Sequence, residues 1–290
     1  MSSIKRIDIL FFVYLAISTI FLMLGSVSKS EIQLLGIHTV IALLVTALIY
    51  FEQKTNSAII RFIRAVYPIV LSGYFYSETV FYNQLFFHNI DPLLAKIDFI
   101  VFTYQPSIYF SQTISNIAFS ELMYFSYFLF YILIITFIIY IFCIKNKYFH
   151  HAVFQLSTSL YLFYFLFILI PSAGPQFYFS SPDNDLPSGV FFSHIMHFIQ
   201  DTAEQPTGAF PSSHVGISII ILMLSKRIAP QFFKFVWPFV ILILLSTIYI
   251  KAHYVIDVLG GVIFAPIILY LSNILYKFPN GKSQIKKQHA

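Results

Sequence analysis

The stretch "GAFPSSHVGISIIILML", Gly208–Leu224, poses two problems at once. Its second half is an apolar run. Its first half is a polar island of proline, two serines and a histidine. Runs like the second half recur along the whole chain. Each has roughly 17 or more residues, enough at about 1.5 Å rise per residue to cross a hydrocarbon core of about 30 Å. Composition agrees: of 290 residues 58% are hydrophobic, 19% are aromatic and only 10% carry charge. The mean hydropathy is +0.80. That is far too little charge for the surface of a soluble domain. The sequence therefore predicts an all-α, polytopic membrane helical bundle, with no stretch left over for a soluble module.

Working outward from Gly208–Leu224, eight spans are expected, at 8–26, 34–51, 60–82, 117–143, 154–171, 214–230, 235–251 and 254–276. The basic start and long apolar stretch of the N-terminus read as a retained first span, because no small-residue cleavage site follows. Between spans three and four, residues 83–115 carry apolar residues at helical spacing around Asp91, Lys96 and Asp98. One or two helices lying in the interface are expected there. Residues 172–213 are rich in proline and read as loop, with a short helix near Phe191–Gln200. The single cysteine, Cys143, rules out an intrachain disulfide framework.

With eight spans both termini share one side. Fourteen of the 17 Lys and Arg residues then fall on that side, leaving Lys29, Lys96 and Lys251 on the other. This asymmetry predicts cytoplasmic termini and places the 172–213 loop, which has no Lys or Arg, on the exported side.

Two polar constellations share that exported side. In "PSSH", Pro211–His214, Ser212 is suited to cap the sixth span, so the N-terminal amides and positive dipole end of that helix face outward as an anion site. In "KAHYVIDVLGG", Lys251–Gly261, His253 and Asp257 are spaced i, i+4 and share a helix face. A carboxylate that holds one ring nitrogen leaves the other free to attack an electrophile. Gly260 and Gly261 would admit a close neighbour. Each feature alone has a bland reading as interfacial polarity. Together, at the outer ends of nearby spans, they read as one site.

"PSSH" followed by "HYVID" resembles the type 2 phosphatidic acid phosphatase superfamily. Its second motif is Pro-Ser-Gly-His, and its third is Ser-Arg, five residues, His, three residues, Asp. More specifically, "IDPLLAKIDFIVF", "ELMYFSYFLFY" and "PSAGPQFYF" resemble, in that order, the inositol phosphorylceramide synthase (aureobasidin-resistance) branch. The resemblance covers roughly residues 85–275. It implies a division into two extra N-terminal transmembrane helices (1–58), a catalytic membrane domain with a six-helix core (59–276) and a basic cytoplasmic tail (277–290).

The resemblance also implies roles. His253 matches the nucleophile that becomes a phosphohistidine, Asp257 its orienting carboxylate, and His214 the acid that protonates the leaving alkoxide. Ser212 matches a phosphate-binding serine, joined by the Ser213 amide. The chain departs from the family pattern at two cations. Gln176 stands where Arg is common in the first motif, and Thr247 replaces the Arg of the third. Gln176 and Lys251 are the candidates to take over phosphate binding. A phosphomonoester carries about −1.5 to −2 charges near neutral pH and a lipid phosphodiester about −1. A site short of two cations suits the diester, and so headgroup transfer to a lipid hydroxyl such as that of ceramide or diacylglycerol.

Three readings therefore stand: transfer of a phospho-headgroup, lipid phosphate hydrolysis with water as acceptor, and a degenerate lipid-binding protein. None calls for a metal, another cofactor or a nucleic acid. The sequence leaves the oligomeric state open. His194 and His197, with Asp201 or Glu204, could hold a metal but read as a loop helix facing headgroups. His88, Asp91 and Asp98 read as interfacial polar residues, and His38 as a helix contact. Glu78 and Glu121, at outer span ends, could line the site. Both histidine rings must reach one phosphorus, so the catalytic reading requires His214 and His253 to lie within about 10 Å of each other.

Overall fold

The computed structural model describes residues 4–25 and 29–277. Apart from Lys277, the basic tail expected at 277–290 lies outside them. Among the described residues the chain is all helix: α1 (Arg6–Leu24), α2 (Lys29–Lys54), α3 (Ala58–Glu78), α4 (Asp91–Phe102), α5 (Pro106–Thr113), α6 (Ile117–Ile144), α7 (Asn146–Leu169), α8 (Pro175–Tyr178), α9 (Phe192–Ala203), α10 (Ser213–Ile228), α11 (Pro230–Tyr249) and α12 (Val255–Lys277). Seven of these, α1, α2, α3, α6, α7, α11 and α12, are long and apolar enough to cross a membrane. The protein is an integral membrane protein. The expected interfacial segment is two short helices, α4 and α5, and the expected loop helix is α9.

The sixth expected span, α10, differs. It has 16 residues, or about 24 Å of helix, short of a hydrocarbon core. Burial explains how it manages. α10 packs against α6, α7, α11 and α12, so its ends meet protein instead of having to match a lipid thickness. Only Ala229 separates it from α11 at one end, and the loop that leaves α11 meets its N-terminus at the other.

Packing in a bilayer gains little from the hydrophobic effect, since lipid tails are as apolar as leucine; close contact and internal hydrogen bonds must hold the helices. The most buried span, α7, shows how. Ser157, Thr158 and Ser159 are small enough for neighbours to approach, and each hydroxyl donates to the carbonyl four residues back, at 2.9, 2.8 and 2.7 Å. Large apolar side chains such as Ile9, Val13, Leu43 and Leu44 face outward instead.

The two N-terminal helices are fastened to α3 at both ends by polar clamps. At one end buried Arg64 donates to Asp8 at 2.5 Å and to Glu52 at 2.7 Å, and Lys5 reaches Glu52 at 2.7 Å. At the other, His38 meets Glu78 at 2.6 Å and Thr19 at 2.7 Å, while the Tyr82 hydroxyl donates to Glu78 at 3.1 Å. His38 is thus a helix contact, and Glu78 is consumed by it. Pairing is what makes such buried charges tolerable.

Candidate active site

Three loops meet at the end of the bundle where α10 begins. They are Pro171–Gln176 after α7, Thr207–Ser212 before α10, and Ile250–Tyr254 between α11 and α12. Backbone groups interlock them. The Ala209 amide donates to the Ser172 carbonyl at 3.2 Å, and the Gln176 amide to the Lys251 carbonyl at 2.9 Å. The Ser212 amide donates to the Asp257 carbonyl at 3.0 Å, and the Phe210 amide to Ser172 Oγ at 2.7 Å.

Two glycines make this closeness possible. A Cβ on Gly261 would lie 2.6 Å from the Ser212 carbonyl oxygen, so the second motif rests directly on the glycine step of the third. Gly174 adopts φ +98°, and a Cβ there would lie 2.6 Å from the Ala252 carbonyl oxygen.

Beneath the loops, α4 supplies two carboxylates. Asp91 accepts from the Ala173 and Gly174 amides at 2.7 and 2.9 Å. Asp98 accepts from the Val255 and Ile256 amides at 2.8 and 3.1 Å, capping the helix that follows His253. Both are buried, at 0% and 2% exposure. The sequence suggested interfacial polar residues here. The available signal was their i, i+7 spacing, which puts them on one helix face. Asp98→Asn keeps the shape but turns an acceptor away from two amides. We expect it to cost about 1.5–3 kcal/mol of local stabilisation and to lower kcat more than it raises KM, read from kinetics alongside thermal unfolding.

The two histidines come together. The rings of His214 and His253 lie 5.7 Å apart, centroid to centroid, inclined at 62°. His253 Nδ1 is 2.9 Å from the Ala209 carbonyl oxygen. A carbonyl only accepts, so the ring proton sits on Nδ1 and Nε2 keeps its lone pair. Nε2 has no hydrogen-bond partner among the described residues. Asp257 lies 3.6 Å from Nδ1, beyond hydrogen-bond reach; its Oδ2 instead accepts from the Tyr254 amide at 2.8 Å. The expected orienting contact is therefore made by a backbone oxygen. Burial pushes the His253 imidazole down to about 4, against the opposing pull of the Glu204 charge and the Ala209 carbonyl.

His214 packs on Tyr127 and Phe130, at 4.8 and 4.4 Å between centroids. Its Nδ1 is buried without a partner. Ser212 is the N-cap of α10, its Oγ accepting from the Val215 amide at 3.3 Å. That leaves the Ser213 and His214 amides as free donors at a helix N-terminus among the described residues.

The other phosphate candidates are turned to other tasks. Lys251 is buried and donates to the Asp185 carbonyl; burial lowers its ammonium pKa, with Asp185 and Asp183 opposing. The Gln176 side chain donates to Glu204 at 2.7 Å. Thr247 bonds its own helix at the Leu244 carbonyl and receives the His253 amide on its carbonyl at 3.1 Å. Glu121 accepts from the Val190, Phe192 and Ser193 amides at the start of α9. His197 contacts the Tyr124 hydroxyl at 3.1 Å, and His194 is exposed. No group of three His, Cys, Asp or Glu side chains among the described residues is placed to hold a metal ion.

Two spaces open at the histidines. A recess of about 10 Å³, lined by both rings with Tyr76, Tyr127, Gln176, Glu204 and Thr207, has room for a water-sized group. A phosphoryl group is larger than this recess. A second, apolar cavity of about 490 Å³ runs from Ser213, His214 and Glu204 between α3 and α6 as far as Phe62. Val70 and Ile135, which line it, are 73% and 56% exposed on the outer face of the bundle. No lysine or arginine lines either space among the described residues.

Residues 100–271, more than half the chain, match the family described as the PAP2 superfamily. No curated protein and no solved structure matches the chain.

Proposed function

The chain belongs to the PAP2 superfamily, and on that premise we propose that it acts on lipid phosphoesters through a phosphohistidine formed on His253 Nε2. The observation that carries this is the His214–His253 pair, 5.7 Å apart, with a free nucleophilic nitrogen on one ring and a long apolar cavity leading away from the other. The cavity accommodates lipid tails and opens towards the bilayer between α3 and α6. His253 attacks phosphorus, and the bond to the leaving alkoxide breaks as His214 delivers a proton to it. The Ser213 and His214 amides, at the positive end of α10, face the equatorial oxygens. Asp257, 3.6 Å from Nδ1, braces the turn that carries His253 by accepting from the Tyr254 amide. The phosphate roles of Ser212 and Ser213 belong to this proposal, whereas the Lys251 and Gln176 side chains are bonded to the Asp185 carbonyl and to Glu204.

The acceptor we favour is a lipid hydroxyl, with headgroup transfer in the manner of the inositol phosphorylceramide synthases that the sequence resembles. The lack of lining cations supports a singly charged diester, because each missing charge-assisted hydrogen bond weighs most on a dianion. The active site then lies on the exported side with the termini cytoplasmic. The small recess beside the rings favours a second reading, in which water resolves the intermediate and the enzyme is a phosphatase. Labelled phospholipid turned over with and without ceramide or diacylglycerol separates the two. Transfer requires label to appear in the acceptor lipid. Release of free phosphate at one rate whatever the acceptor leaves hydrolysis.

A further inference from the structure

One charged side chain lines both the recess and the long cavity, and it is an acid. Glu204 closes the turn after α9, where its Oε1 accepts from the Tyr127 hydroxyl at 2.8 Å and its Oε2 from the Gln176 amide at 2.7 Å. Tyr127 in turn packs on the His214 ring. Gln176 is held in orientation by Gln200, whose amide donates to Gln176 Oε1 at 3.2 Å. Glu204 is therefore fixed beside both histidines by neutral donors, and no cation neutralises it among the described residues. A carboxylate offers about four lone-pair positions, and two are used. The other two are available to a ligand.

An anion beside a phosphate site is costly unless the ligand repays it. A phosphomonoester, with nearly two negative charges, meets repulsion there. A phosphodiester whose esterified alcohol carries hydroxyl or ammonium protons meets a ready acceptor. We infer that Glu204 is a specificity-determining residue, which receives the hydrogen-bond-donating headgroup of a lipid phosphodiester and turns away phosphomonoesters. The inference rests on His253 and His214 being the reacting pair. The sequence offers Glu204 only as a possible metal ligand beside His194 and His197, because it falls in a proline-rich loop outside any motif.

The test uses the full chain in proteoliposomes with three substrates: phosphatidic acid, a diester with a glycerol headgroup and a diester with an ethanolamine headgroup. The unaltered protein prefers at least one diester over phosphatidic acid by about tenfold or more. In Glu204→Gln that preference shrinks by about tenfold, the effect of one lost charge-assisted hydrogen bond. KM rises for the diester and falls for phosphatidic acid. Which diester responds tells hydroxyl from ammonium recognition. A preference for phosphatidic acid in the unaltered protein, or an unchanged ranking in Glu204→Gln, overturns the inference. His253→Ala is run beside them: retained activity there sinks the reading of the reacting pair, whereas lost activity with an unchanged Glu204→Gln ranking sinks only the role of Glu204. Should Glu204→Gln fail to fold, inhibition of the unaltered protein decides. Free glycerol or ethanolamine must inhibit competitively at concentrations where inorganic phosphate does not, and the reverse order overturns the inference.

Discussion

His253→Ala is expected to lower turnover of lipid phosphoesters by at least about 10⁴-fold, as loss of a covalent nucleophile does in enzymes whose reacting groups act as a unit. The ring is buried and its Nδ1 proton is committed to the Ala209 carbonyl, so Nε2 is the nucleophilic nitrogen that this variant removes. Rapid acid quenching of the unaltered protein with ³²P-labelled substrate should trap protein-bound label, and His253→Ala should trap none. Trapped label of equal yield in the variant would place the nucleophile elsewhere.

The same residue sets the pH profile. Burial disfavours the imidazolium, so the His253 pKa lies near 4 instead of near the usual 6.5. The neutral, attacking form is then already dominant at pH 5 to 6. As pH falls through about 4 the ring takes up a proton on Nε2, and the acidic limb of kcat/KM should appear there. A limb at about 6.5 that persists in His214→Asn would show that His253 is solvated in the working enzyme.

His214→Asn is the second large effect. A lipid alkoxide is a poor leaving group, and positioned proton donation contributes about 10²–10⁴-fold. His214 is placed for that task at the N-terminal end of α10, with its ring 5.7 Å from His253. Loss of the donor should therefore cost about 10²–10⁴-fold on a natural lipid. A phosphodiester with a p-nitrophenol leaving group needs no proton, and on it the loss should shrink to within about tenfold. Equal losses on both substrates would reduce His214 to a packing residue on Tyr127 and Phe130.

The reach of sequence reasoning differs from one residue to the next. Hydropathy locates the long helices to within a few residues, except that α7 starts about eight residues earlier than expected. It does so because an apolar run of membrane length has essentially one backbone solution in lipid. Ser212 declares itself as an N-cap because capping is a local event between neighbours in sequence. His214 and His253 declare themselves because polar groups at span ends are conspicuous against an apolar chain.

Asp91 and Asp98 give no such sign. On a short helix of mixed polarity, carboxylates at i, i+7 look the same whether they face water or clamp two distant loops. The Ala209 carbonyl is harder still, since a backbone acceptor has no residue identity. Gln176 and Lys251, read as stand-ins for missing arginines, are instead bonded to Glu204 and the Asp185 carbonyl, partners 28 and 66 residues away.

The amino-acid sequence by itself thus determined the helical class, the order and approximate position of the membrane helices and the two histidine motifs, because each follows from periodicity, hydropathy or capping within a short window. Only the tertiary structure decided which atom holds His253, which carboxylates brace the loops and which single charge faces the two histidines. Those contacts join residues far apart in the chain, and hydrogen bonds between loops are chosen by how the helices pack.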